Sequence, residues 1–194
     1  MQQEHSDSLP VLRAGVDNVF LALIPDEQSA LQATSIRNGY LEALGQNPYV
    51  VPTGCLHVSL LDIATRKNLI RRSLSSTIEN AVAALATLEL TPFEVVFEQV
   101  LSFSAKSQKP FVLQMSQGKE RLEELCKKLS RSLALASVHA DDKASVPHMT
   151  LARAAVNVSL QTVEPVRWTV KKVVLVHSVV GQTRHIHLKS WPLG

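Results

Sequence analysis

Four residues, His57-Val58-Ser59-Leu60, return in kind as His148-Met149-Thr150-Leu151, and similar stretches of chain lead up to each copy. The apolar run Asn18 to Ile24 reads as a strand. Pro25-Asp26-Glu27 then opens a helix that should run to about Leu44, with Gly45 as its stop. Before the second copy, Phe111 to Met115 reads as a strand and Gly118 to Ala136 as a charged amphipathic helix. Phe20 precedes His57, and Phe111 precedes His148, by 37 residues each. A fixed period of this kind marks a duplicated strand–helix–strand unit. Such a duplication predicts two pseudo-symmetric lobes around a central cleft, with each lobe contributing one motif.

Within each copy the spacing has a chemical meaning. Side chains in a strand alternate faces, so a histidine and the hydroxyl two residues on point the same way. Seven histidines in a chain of this composition would give on the order of 0.1 such matches by chance. Two copies facing one cleft supply His57, Ser59, His148 and Thr150: two groups that move protons near neutral pH and two hydroxyl donors. That set suits acid–base chemistry at phosphorus without a metal.

The remaining elements are read from periodicity and breakers. Pro48 to Thr53 reads as a loop into the first motif strand, about Cys55 to Ile63. A helix is expected from about Arg66 to Leu88, carrying Leu69, Ile70, Leu74, Ile78, Val82 and Leu85. Phe93 to Phe103 should be a strand paired in a hairpin with Phe111 to Met115. His139 to Val146 is polar and leads to the second motif strand, His148 to Ala154. Val166 to Ser178 and Thr183 to Ser190 read as two strands joined through Gly181.

Composition narrows the class. Of 194 residues, 45% are hydrophobic and 19% charged, as in ordinary globular proteins. The net charge of +3 and pI of about 9.0 permit a phosphate-bearing ligand without demanding one. There is no basic tract of the nonspecific nucleic-acid-binding kind and no run near the roughly 20 apolar residues of a membrane span. Residues 1–17 read as a flexible polar leader without a signal-type apolar stretch, and 18–194 as a single bilobal domain. The two cysteines, Cys55 and Cys126, make no disulfide framework, so a reducing cytoplasm is the expected location. A monomer is expected.

Paired His-x-(Ser/Thr)-Leu motifs 91 residues apart resemble those of the two-histidine phosphoesterase superfamily. The nearest branch is the RNA 2',3'-cyclic phosphodiesterases, also called 2'-5' RNA ligases. Phe20-Leu21-Ala22-Leu23-Ile24-Pro25-Asp26-Glu27 is similar to the branch's opening, and Val51-Pro52 to its approach to the first motif. Pro147-His148-Met149-Thr150-Leu151-Ala152-Arg153 is similar to its second motif, and Arg184 to Leu193 to its C-terminal signature. Leu61-Asp62-Ile63 departs from the Phe-Leu-Gly that often comes after the first motif. Ser59 replaces the commoner Thr, and His185 stands where an aromatic residue, usually Tyr, comes after the C-terminal Arg.

The resemblance implies an α+β fold of mainly antiparallel sheet with outer helices, and hydrolysis of RNA or nucleoside 2',3'-cyclic phosphates to 2'-phosphates together with reversible 2'-5' ligation, with no cofactor. It implies His57 as acid to the leaving oxygen and His148 as base for water, roles that a pseudo-symmetric site could exchange. Arg153 is implied as a substrate contact. At five residues past His148 it would face away in a regular strand, and a bulge would bring it back. Partners would be RNA ends or small nucleotides. A 2'-5' oligonucleotide phosphodiesterase and a nucleotide-binding module without turnover are the alternative functions.

Other readings compete for single residues. Cys55 and His57 could form a nucleophilic couple. His177, His185 and His187 could be drawn as a metal site. Lys106 and Lys109 could touch an RNA backbone, and Phe103 reads either as a base-stacking ring or as core.

Overall fold

The computed structural model describes residues 17–64, 74–142, 146–179 and 181–194. The expected leader, up to residue 16, and the start of the expected second helix, with Leu69 and Ile70, lie outside these residues. The elements run β1 (Asn18–Leu23), α1 (Glu27–Gly39), β2 (Tyr49–Val50), β3 (Val58–Ala64), α2 (Leu74–Leu85), β4 (Phe93–Ser102) and β5 (Lys109–Gln117). They continue with α3 (Lys119–Leu135), β6 (Asp141–Asp142), β7 (His148–Ala154), β8 (Gln161–Val170), β9 (Lys172–Val179) and β10 (Arg184–Pro192). The fold is α+β, and the strand pairs among the described residues are antiparallel.

The main sheet runs β10-β9-β1-β3-β7-β5-β4-β8. Four strands lie on each side of the β3–β7 seam, where β3 and β7 pair at Val58 with Met149. These halves are the two lobes. β8 and β9 lie far apart in that order, yet only Lys171 separates them in the chain. One intervening residue spans a few ångströms, so the sheet must curl back on itself. The C-terminus fastens this closure. Trp191 is buried opposite Val173, Leu193 N–H donates to Lys171 O (2.8 Å), and Gly194 N–H donates to Leu90 O (2.8 Å).

Each half reaches across the seam. α1 comes after a strand of the first lobe but covers β8 of the second. Ser29 Oγ donates to Arg167 O (3.0 Å), and Gln32 Nε2 to Pro165 O (3.2 Å). α3 comes after a strand of the second lobe and packs on α2 and β3 of the first. Its Leu122, Leu125, Leu129 and Leu133 form one buried stripe at helical spacing. The short strands cross likewise: β2 pairs with β7, and β6 with β3. One apolar cluster, including Leu21, Leu61, Phe97, Phe111, Leu129 and Trp168, draws on both lobes.

Several boundaries differ from those expected. α1 ends at Gly39 rather than Leu44, and isolated turns carry the chain to Gly45, which takes φ +79°. The 48–53 loop contains β2. Val166 to Ser178 is divided between β8 and β9, because the chain leaves one lobe for the other at Lys171. Asp17, at the end of the expected leader, is buried against His177 (3.0 Å).

The equal 37-residue separations also match residues that are not structural equivalents. Phe20 pairs with Asp62, whereas Phe111 pairs with Ala152. By register, Phe20 corresponds to Pro110 and Phe111 to Leu21. The repeat is present in topology, but its two copies are offset by one residue in length.

Candidate functional site

Because β3 and β7 run antiparallel and pair at Val58–Met149, His57 lies across from Thr150, and Ser59 across from His148. Val58 and Met149 are fully buried, so the flanking residues point out of the core. The two histidines are then diagonal neighbours, about 7–8 Å apart for such positions. All four residues line one cleft of about 1390 Å³.

The two imidazoles are held alike. His57 Nδ1 lies 2.8 Å from Cys55 O, and His148 Nδ1 lies 2.8 Å from Val146 O. A carbonyl only accepts, so each Nδ1 carries the proton and the basic lone pair of the neutral ring is on Nε2. Both rings thus bond to the carbonyl two residues upstream. A chain of contacts supports the first carbonyl. The buried Arg37 of α1 donates from Nη1 to Val51 O (2.6 Å), and Thr34 bonds Thr53 in the turn Thr53–Cys55 (2.9 Å). Burial lowers the Arg37 pKa from its usual value.

The motif leucines also have a structural task. In β3 the pairing with β1 passes from Ser59 to Leu61, skipping Leu60. In β7 the pairing with β5 passes from Thr150 to Ala152, skipping Leu151. Each leucine is thus the extra residue of a bulge, and both are buried. The bulge reverses the facing of the residues after it, so the exposed Arg153 returns to the cleft, as the odd offset required. Its counterpart after the first bulge is Asp62, which also lines the cleft. The sequence signal for Asp62 was its identical offset of five from a motif histidine.

Aromatic surroundings distinguish the halves. His57 packs against Phe20 (centroids 5.0 Å) and His185 (5.0 Å), whereas His148 meets Phe103 edge-on (4.8 Å). Phe103 is half-buried beside the motif histidine and is not a core residue. Burial, then the charges of His57 and His187, push the His185 pKa down to about 4. Burial and then Lys172 lower that of His187. Lys119 and Lys127 of α3 also line the cleft, beyond the reach of sequence spacing.

The competing constellations come apart. The Cys55 thiol contacts Thr183 O (3.4 Å), and it is the Cys55 carbonyl that holds His57. His177 pairs with Asp17 on the core side, while its register partner Ile186 separates it from the opposite face carrying His185 and His187. No cluster of three metal-ligating side chains occurs among the described residues. Lys109 Nζ donates to Ala155 O (3.2 Å), Lys106 is exposed, and neither lines the cleft.

The sequence profile of the 2'-5' RNA ligase superfamily matches residues 25–182, which include both motifs. The chain belongs to this superfamily. Among solved structures, Escherichia coli LigT complexed with NADP+ superposes with a TM-score of 0.73 at 17% identity, covering 91% of this chain and 98% of LigT. LigT complexed with 3'-AMP gives 0.72 at 18%, covering 91% and 98%. TT0787 of Thermus thermophilus gives 0.68 at 19%, covering 91% and 97%. At these identities the likeness establishes a shared fold. A search of curated proteins by sequence gave no significant match. Membership in the 2'-5' RNA ligase superfamily fits the twofold arrangement of the cleft. No helix among the described residues is long and apolar enough to cross a membrane.

Proposed function

We propose that this 2'-5' RNA ligase superfamily member is an RNA 2',3'-cyclic phosphodiesterase that works without a metal. The reading rests chiefly on the two matched Nδ1–carbonyl bonds beside one cleft. Opening a cyclic phosphate takes one proton from water and gives one to a ribose oxygen. Two imidazoles whose Nε2 atoms carry the exchangeable position meet that requirement. His148 takes the proton from the attacking water, and His57 gives one to the departing O3'. The P–O3' bond breaks as the new P–O bond forms, leaving a 2'-phosphate and exchanged protonation states on the histidines.

Ser59 and Thr150 donate to the non-bridging oxygens, where charge grows as the ring opens. Arg153 binds a substrate phosphate through charge-assisted hydrogen bonds. With a 5'-hydroxyl in place of water, the same attack expels O3' and makes a 2'-5' linkage, and the reverse of that step returns the cyclic phosphate and the 5'-hydroxyl. The substrates are RNA ends or small nucleotides, and the enzyme acts as a cytoplasmic monomer. LigT has been captured with 3'-AMP, ATP and phosphate, ligands of the same chemical kind.

The test is incubation with a nucleoside 2',3'-cyclic phosphate in excess EDTA, with 2'- and 3'-phosphate products separated. Hydrolysis to the 2'-phosphate is expected. Binding of the nucleotide without turnover would assign the cleft to a sensing module instead.

A further inference from the structure

A third imidazole forms part of the wall beside His57. His185 lies opposite Ser178 in the β9–β10 ladder and lines the cleft. Its ring stands edge-on to His57 (5.0 Å, 70°) and to Phe20 (5.7 Å, 79°), while Phe20 tilts against His57 (5.0 Å, 36°). The three rings touch pairwise. On the other side of the cleft, His148 meets the ring of Phe103.

His185 Nδ1 is closed off from solvent and meets no hydrogen-bond partner among the described residues. Charging this ring would place an N–H with no acceptor in that enclosure, which is unfavourable. A second imidazolium would also repel a protonated His57 across a ring contact. The low pKa of about 4 agrees with both arguments. His185 is therefore a neutral, aromatic and polarisable wall at the pH where histidine catalysis operates.

Such a wall is useful because the outer torsion of histidine is broad. The Cys55 carbonyl anchors one ring nitrogen, and a single hydrogen bond does not by itself set the plane of the ring about that bond. A swing of about 1 Å at Nε2 can cost on the order of 10²-fold in rate. We propose that His185 is a positioning residue for His57, its neutral ring and Phe20 together fixing the plane in which Nδ1 meets Cys55 O and Nε2 meets the substrate. The proposal rests on the two-histidine reading for its kinetic consequence, but not for its structural one.

The test compares His185→Phe, which keeps an aromatic edge, with His185→Leu, which fills the space without one. On a nucleoside 2',3'-cyclic phosphate, His185→Phe should keep kcat within about threefold of wild type. His185→Leu should lose about 10- to 100-fold in kcat with KM changed less than about threefold. Long-range ¹H–¹⁵N spectra of the imidazoles give a second readout: His57 should be a single Nδ1–H tautomer in wild type and a mixture in His185→Leu. Should that variant not fold, His185→Gln, which also lacks a ring, takes its place. Wild-type kcat and an unchanged His57 tautomer in the ring-less variant would overturn the proposal, as would an equal loss in the Phe variant. If wild type itself does not hydrolyse the substrate, the functional reading fails, and the tautomer comparison still decides the role of His185.

Discussion

At the scale of single residues, the account depends on how two short polar motifs are aimed. Both histidines spend Nδ1 on a carbonyl two residues back, and both motif leucines are bulge residues. The bulge at Leu151 brings Arg153 to the cleft, so Arg153→Ala should raise KM for a cyclic phosphate roughly 10- to 100-fold, consistent with losing charge-assisted hydrogen bonds. Arg153→Lys should fall between the two, since it keeps the charge and loses the planar fork. Steady-state kinetics on the three proteins separates these outcomes. Acid stability carries a second residue-scale prediction. Above about pH 6.5, His185 is neutral in both folded and unfolded chains. As pH falls toward about 4, the unfolded chain takes up a proton that the folded ring refuses, so the folded state loses stability. The lowered His187 acts in the same direction. His185→Phe removes one contribution, and its melting temperature should fall less steeply than that of wild type between these pH values.

At the scale of elements, the turn from β5 into α3 is the most demanding. Gly118 takes φ +89°, and a Cβ there would lie 2.5 Å from Glu94 O. Gly118→Ala should destabilise the fold by roughly 1–3 kcal/mol, measured by denaturant unfolding. A second elemental prediction concerns α1. Its buried face is made of Ser29, Ala30, Ala33 and Arg37, and Arg37 satisfies the Val51 carbonyl on the way to the first motif. Arg37→Met should cost about 1–3 kcal/mol by leaving that carbonyl unpaired, with lower activity because the support of the Cys55–His57 bond is weakened. Measured stability unchanged from wild type would remove Arg37 from this chain of support. This face also explains why α1 ends at Gly39, short of the expected Leu44. Its stripe is small and polar, so apolar periodicity gave no stop, and the chain turns away at Tyr40 instead.

At the scale of the whole molecule, much of the two-lobed plan could be read from the sequence. Two motifs of alternating facing, each after a strand and a helix, are local signals, and they place His57, Ser59, His148 and Thr150 on the faces that line the cleft. What escaped was what depends on contacts between distant segments. β2 and β6 are two-residue strands that exist only because each crosses to the other lobe. The division at Lys171 has no breaker residue, since Val166 to Ser178 reads as one extended run and only the curled sheet separates its halves. In sequence His185 is one of three histidines near the C-terminus, and its pairing with His57 arises from β10 lying two strands from β1. The same closure makes Trp191 an anchor: Trp191→Ala should cost about 3–5 kcal/mol in unfolding free energy. The central claim is that the two motifs form one reaction centre. Its most direct test is the turnover of a nucleoside 2',3'-cyclic phosphate by wild type, His57→Ala, His148→Ala and the double variant. Each single change should lower kcat by about 10²–10⁴, and the double variant should lose far less than the product of the two. Wild-type turnover in either single variant would contradict the account.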